Sequence, residues 1–218
     1  MTLKADLHLH TNYSPDSLIT PEGLVARCLK IGINCIAVTD HNALDGALAV
    51  QSMAPFRVIA AEEIKTTEGE VIGFFLRERI SPGLSPEETV RQIKTQGGLV
   101  GVPHPFDRLR REPLRQSALE RVLPQIDIIE AFNARVTVGS DNARAAAFAA
   151  EHGLTCSAGS DAHSLLEVGR ACVEMDDFET PQEFLESLRK GKIDGKCSSP
   201  LVHAISTWAK LRRRLGRR

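Results

Sequence analysis

The chain has 218 residues, of which 42% are hydrophobic and 25% charged, and its formal charge at pH 7 is −1. This is enough for one domain with a full core and is ordinary for a globular protein, which excludes a disordered chain; two independent domains would be crowded. No apolar run nears the roughly 18 residues that cross a bilayer, and the balanced charge gives the molecule as a whole no bias towards nucleic acid.

In chain order, the sequence alternates strand-like and helix-like segments. Leu3 to Leu7 reads as a first strand, so close behind Met1 that no signal peptide fits, and a cytoplasmic location is expected. Thr20-Pro21 then opens a helix with apolar Leu24, Val25, Cys28 and Leu29, which Gly32 closes. Strands follow at Cys35 to Thr39, Val58 to Ala61 and Val71 to Leu76. The last two are joined across Thr67-Glu68-Gly69-Glu70, which predicts a local hairpin. Ser85-Pro86-Glu87-Glu88 carries a capping box for a helix ending near Gly97, and Leu99 to Val102 and Ile126 to Phe132 are further strands. An alanine-rich helix spans Ser140 to His152 and stops at Gly153. Strands at Thr155 to Ala158 and Ala171 to Met175 precede a second capping box, Thr180-Pro181-Gln182-Glu183, whose helix ends near Gly191.

Several of these strands are short continuous apolar runs of the kind buried on both faces of a parallel sheet. Their alternation with helices predicts a barrel or an open α/β sheet in one domain. The basic end of the chain, with Lys210, Arg212, Arg213, Arg214, Arg217 and Arg218, is expected as a solvated helix or tail over residues 201–218. The five cysteines are widely spaced without a C-x-x-C pair and read as free, mostly buried thiols.

Five of the seven histidines lie on a ladder of motifs shared with acids: Asp6-Leu7-His8-Leu9-His10, Thr39-Asp40-His41, Glu62-Glu63, Pro103-His104-Pro105 and Ser160-Asp161-Ala162-His163. Each follows an apolar run, so each is expected where a strand ends, and sites of parallel α/β folds form at those ends. His8 and His10 share one face of a strand and can hold one ion together. Asp6 can act as their orienting partner, and Asp16 is either a ligand or a turn residue in Ser14-Pro15-Asp16-Ser17. Of Asp40 and His41, only one can face the pocket; the same parity question arises for Glu62 and Glu63. His104, between two prolines, is expected in stiff extended backbone. Glu130 ends a strand, and Asn133 and Arg135 follow it. His152 and His203 lie off the ladder and read as surface residues.

Imidazoles and carboxylates without thiolates suit divalent Mn, Fe or Zn. Four or five histidines and four acids exceed the needs of a single ion, so two or three ions are expected. Such clusters activate water and clamp phosphoryl oxygens.

The ordered set D-x-H-x-H, T-D-H, E, P-H-P and S-D-A-H resembles the PHP (polymerase and histidinol phosphatase) family of metal-dependent phosphoesterases over about residues 3 to 200. The resemblance implies a distorted (β/α)7 barrel with a trinuclear site at the carboxyl ends of its strands. It further implies that His8, His10, Glu63 and Asp161 share one ion. Glu63 would bridge to a second, held also by His104 and Glu130, while Asp16, His41 and His163 would hold a third. Glu130 stands where relatives have histidine, cysteine or another residue. Glu63 is favoured over Glu62 because Ala61-Glu62-Glu63-Ile64 fits the family's G-x-E-[IV] pattern, with alanine in place of glycine.

The expected reaction is hydrolysis of a phosphate monoester, a small metabolite or nucleotide, by a metal-activated hydroxide, with His10, Asp161 and His163 at the reacting centre. Arg135, Lys65 and Arg108 follow pocket motifs and are candidates to hold phosphate. The alternatives are a 5′-to-3′ exonuclease or phosphodiesterase on nucleic acid, and a non-catalytic metal-binding accessory module. About forty residues separate Glu63 from His104, too few for the long insertion that covers the site in many nucleotide-hydrolysing relatives, so an open pocket is expected.

Overall fold

The computed structural model describes residues 2–109, 112–199 and 202–215. In chain order its elements are β1 (Thr2–Leu9), α1 (Pro21–Ile31), β2 (Cys35–His41), α2 (Asp45–Met53), β3 (Arg57–Thr66), β4 (Gly69–Phe74), α3 (Pro86–Thr95) and β5 (Leu99–Val102). There follow α4 (Gln116–Val122), β6 (Ile128–Asn133), α5 (Gly139–His152), β7 (Thr155–Gly159), β8 (Ala171–Asp176), α6 (Pro181–Lys190), β9 (Lys192–Gly195) and α7 (Val202–Leu215).

The helix ends follow from local chemistry. Thr20, Ser85 and Thr180 each accept a backbone N–H of the first turn, with proline in that turn, and Gly32 and Gly153 close α1 and α5 with φ of 74° and 65°. The helix α2 begins at Leu44 without a side-chain cap, α4 likewise lacks one, and neither is signalled in the sequence. The short edge strand β9 is also unsignalled; its alternating exposure reflects pairing on one side only, with β8.

The nine strands among the described residues pair in one sheet of order β7-β6-β5-β4-β3-β2-β1-β8-β9. The pairs β1/β2, β2/β3, β5/β6 and β6/β7 are parallel. The predicted hairpin is present as the antiparallel β3/β4 pair, and β4/β5, β1/β8 and β8/β9 are antiparallel too. The sheet curls so that the segment after β7 meets β1: Leu9 bridges Ala162 in parallel, and the His10 N–H donates to Ala162 O at 3.0 Å. The expected barrel-like α/β architecture is therefore present, while the seven-unit count does not map one to one onto nine strands with these antiparallel additions.

Two apolar layers hold the curl. Inside lie Leu3, Ala5, Leu7, Cys35, Ala37, Ile59 and Ala61, closed at the base by Phe184 and Leu188 of α6. Outside, Ile36, Val38, Val58 and Ala60 meet Leu24, Cys28, Ala47 and Val50 of α1 and α2. Burying each large side chain contributes about 1.5–3 kcal/mol. The β2 strand is buried on both faces over all but its last residue, and its first four residues, Cys35 to Val38, are accordingly all apolar. The interior changes from apolar to polar only where the strands approach their carboxyl ends.

Candidate metal centre

A register shift in β1 between Asp6 and Leu9 turns His8 inwards directly after Leu7, and His10 follows on the same side two residues later. Their Nε2 atoms lie 3.2 Å apart, and both are 3.4 Å from Glu63 Oε2. Glu63 is the centre of the cluster: its Oε2 also lies 3.2 Å from His41 Nδ1, and its Oε1 lies 3.1 Å from His104 Nε2. Asp161 approaches His10 Nε2 at 3.4 Å, His163 Nδ1 at 3.5 Å and His8 Nε2 at 3.9 Å through Oδ1. Asp16 faces His41 Nε2 and His163 Nε2, each at 3.5 Å. Eight of the nine expected ligands thus converge, and all but His41, which is partly exposed, are buried; Glu130, also buried, reaches the cluster only from behind His8, through Nδ1.

The two parity questions have opposite-face answers. His41 faces the cluster, whereas Asp40 turns to the β1–α1 loop, accepting Thr11 N–H at 2.7 Å and the Ser14 hydroxyl at 2.6 Å. Ser14 Oγ in turn lies 3.2 Å from His10 Nδ1 and accepts the His41 N–H at 2.9 Å. Glu63 faces the cluster, whereas Glu62 accepts the Ile80 N–H at 2.9 Å on the other side of β3. Asp6 is not in the cavity; it accepts N–H groups of Ser160 and Gly169, both at 2.9 Å, which anchors the chain that presents Asp161.

Three expectations need correction. The acidic pair is not beyond a strand end: β3 continues to Thr66 because Glu63 pairs with Ile72 in the β3/β4 hairpin, so this wall rises past the cluster. Glu130 likewise lies within β6. His104 is not extended, since its φ of 29° is left-handed, as is the 53° of Asp161. Non-glycine residues held there cost energy and are concentrated at functional sites.

Of the three cations considered for phosphate, Arg135 is buried. Its guanidinium meets His163 Nδ1 at 2.6 Å, Glu167 Oε1 at 3.2 Å, Val202 O at 3.2 Å and Ser206 Oγ at 3.0 Å. Lys65 pairs with Glu112 at 2.6 Å and Arg108 with Asp141 at 2.9 Å, both with exposed side chains at the rim. Two further buried acids carry no signal in the sequence. Glu70 comes within 3.7 Å of His41 Nδ1 through the hairpin, and Glu167 braces both Arg135 and the His163 N–H. Neither stands next to a motif. His152 is exposed, as expected; the side chains of His203, Lys210, Arg213 and Arg214, and all of residues 216–218, lie outside the described residues.

Crowding sets the charges. Burial, then the neighbouring His163 and His41, push His10 down to about 3. Burial also opposes the charged form of His41, but Glu63 and Asp16 outweigh it and raise it to about 10. His8 is likewise raised against burial by Glu130, Asp161 and Glu63. Burial works against an ionised Glu63, but His8 and His41 hold it well below the usual carboxylate range.

The donor set fits divalent ions. His10, His41 and His163 converge, as do His8, His10 and Glu63; His8, His104 and Asp161; and His41, Glu63 and Glu70, each trio with ligand atoms within 4.8 Å of one another. Glu63 Oε2 is buried with no hydrogen bond, amid three imidazoles. Imidazole nitrogens and carboxylate oxygens gathered in this way are what divalent cations bind, with displacement of the imidazole protons.

Fold and site together define an α/β barrel with an imidazole–carboxylate cluster at its mouth. The PHP domain profile matches residues 6–96 and the PHP-associated profile residues 129–193. The chain is 40% identical over 146 residues to uncharacterized protein MJ1587 of Methanocaldococcus jannaschii, covering 61% of this chain and 82% of that one. It is 35% identical over 198 residues to uncharacterized protein MJ0417 of the same organism, covering 86% and 79%. The chain belongs to the PHP family.

Solved structures share the fold at low identity. A two-domain protein from Bacteroides vulgatus containing a PHP-like metal-dependent phosphoesterase has a TM-score of 0.69 at 19% identity, over 90% of this chain and 65% of that one. PsfC from Pseudomonas syringae also gives 0.69, at 17% identity over 97% and 98%. Endonuclease Q, bound to a 27-mer duplex with an abasic lesion at its active site, gives 0.64 at 16% identity over 92% and 60%.

Proposed function

We propose that the protein is a metal-dependent hydrolase of phosphate monoesters, acting on a small phosphorylated metabolite or nucleotide. The observation that carries this reading is the convergence of five imidazoles with Glu63, Asp16 and Asp161 in one cavity. His8, His10, Glu63 and Asp161 would hold one ion, Glu63 and His104 a second, and Asp16, His41 and His163 a third. Bound Mn, Fe or Zn ions would activate water and neutralise phosphoryl oxygens.

The chain's own residues prepare that chemistry. Ser14 ties the His10 ring and the His41 backbone to Asp40, so one hydroxyl fixes one imidazole directly and the strand that presents the other. Arg135 and Glu167 hold His163 from behind, which makes Arg135 a positioning residue. Lys65 and Arg108 place positive charge at the rim, where an incoming phosphate would pass. His10, Asp161 and His163 would border the reacting centre and position the ions there.

A second reading, a 5′-to-3′ exonuclease or phosphodiesterase on nucleic acid, is favoured by α7. Ser206 on that helix bonds Arg135, and two residues on, an exposed Trp208 lies under Arg212 with the guanidinium 5.5 Å from its ring. Exposed aromatic and arginine groups are the usual platform for bases. The test is a side-by-side assay with manganese: phosphate release from a nucleoside monophosphate against trimming of a 5′-phosphorylated oligonucleotide. Release from the monophosphate supports the first reading, and trimming alone replaces it with the second. Turnover of neither would favour a non-catalytic metal-binding module.

A further inference from the structure

Glu130 is buried within β6 and faces the cluster, yet it belongs to none of the trios whose donor atoms converge. Its oxygens are directed elsewhere. Oε1 lies 3.0 Å from His8 Nδ1, while Oε2 accepts the His104 backbone N–H at 2.8 Å and the Asn133 amide at 3.0 Å. An ionised carboxylate only accepts, so the His8 contact requires the proton on Nδ1. In the neutral ring that a metal ion requires, this leaves the lone pair on Nε2, the atom turned towards His10 Nε2 and Glu63 Oε2.

The same carboxylate braces two further groups. By accepting the His104 N–H it pins the left-handed backbone on which His104 depends. Through Asn133, which also donates to Asp161 Oδ2 at 3.1 Å, it is tied to Asp161. Gly159 makes room for the arrangement, since a side-chain carbon there would sit 2.9 Å from Glu130 Oε1 and 2.2 Å from the His8 side chain.

We infer that Glu130 is not a metal ligand but the carboxylate brace that sets the tautomer and aim of His8 and the backbone of His104. Outer partners of this kind orient a histidine ligand and raise its basicity, and losing one weakens metal binding roughly 10- to 100-fold. The inference rests on the metal-centre reading for its consequence, and on hydrogen bonding alone for its geometry.

The test uses the full chain as wild type, Glu130→Gln and Glu130→Ala, with Mn or Zn as the probe. Metal per chain is counted at saturation, affinity is measured by chelator competition, and the His8 ring is followed by NMR in the metal-free protein. For Glu130→Ala we expect the same number of ions, affinity for one of them lower by roughly 10- to 100-fold, and loss of the protected Nδ1–H signal of His8. Glu130→Gln keeps one carbonyl oxygen, enough for the His8 proton but not for the His104 N–H and the Asn133 amide as well, so it should retain the signal with an affinity between those of the wild type and Glu130→Ala. Loss of one whole ion in Glu130→Ala, with the others bound at wild-type affinity, would make Glu130 a ligand and overturn the inference. An unprotonated Nδ1 in the wild type would do the same. If the wild type bound no ion, the metal-centre reading would fail, and the NMR comparison would still decide the brace.

Discussion

At the scale of single residues, neighbours in sequence do opposite work. His41 and Glu63 enter the cavity while Asp40 and Glu62 leave it, because successive strand side chains point to opposite faces. The ligand set is therefore narrower than the list of acids near histidines. His10→Ala and Asp161→Ala should each reduce phosphoesterase activity by more than ~100-fold, beyond what an outer partner typically costs, with an unchanged far-ultraviolet circular dichroism spectrum; near-wild-type turnover in either would remove that residue from the centre. Glu62 supports a separate prediction. Burial pushes its carboxyl up to about 7 from 4.5, so between those values the folded state binds the proton more tightly than the unfolded chain does. Its contribution is complete below pH 4.5 and is lost as pH rises to about 7, on the order of 3 kcal/mol in all. Glu62→Gln cannot titrate, so its stability relative to wild type should rise across that window in urea melts, and a flat difference would contradict the assignment.

At the scale of elements, the closure between β1 and the end of β7 is what turns a curled sheet into a site. It brings Asp161 and His163 beside His8 and His10, and it depends on Gly159, where a side-chain carbon would lie 2.2 Å from His8 Cβ and 2.8 Å from His8 N. Gly159→Ala should cost about 1–3 kcal/mol or more through overpacking and weaken metal binding at the same time. Gly139→Ala, at the start of α5 with open space around it, is the matched control. It should be neutral or stabilising by up to about 1 kcal/mol. Equal effects at the two positions, measured by denaturant unfolding, would mean that the closure is not tight. The α7 helix reaches the same region through Arg135, which links Val202 and Ser206 to His163.

At the scale of the whole molecule, the donors come from strands and loops spread from residue 8 to residue 163, so any ion they hold is also a cross-link of the fold. A ligand that binds only the folded state at 1,000 times its Kd contributes about 4 kcal/mol. For a chain of this size that corresponds to a Tm change on the order of 10 °C. Chelator-treated protein should melt lower by about that amount and recover on adding Mn or Zn; an unchanged Tm would mean that no ion is bound tightly. No described helix is long and apolar enough to cross a membrane.

Much of this was legible in advance because it depends on near neighbours. The capped helices α1, α3 and α6, the β3/β4 hairpin and the donor types on each motif are set by residues a few positions apart. Uncapped α2 and α4 and the half-exposed β9 carry no comparable local signal. Glu70 and Glu167 carry no sequence signal because their partners, His41 and Arg135, lie some thirty residues away in the chain. The amino-acid order by itself determined that imidazoles and carboxylates would follow apolar strands in an α/β chain. Only the tertiary structure decided which of each adjacent pair faces inwards, how far β3 runs beside the cluster, and that Glu130 meets His8 Nδ1. Those outcomes depend on strand register and barrel closure, which are set by contacts between distant segments.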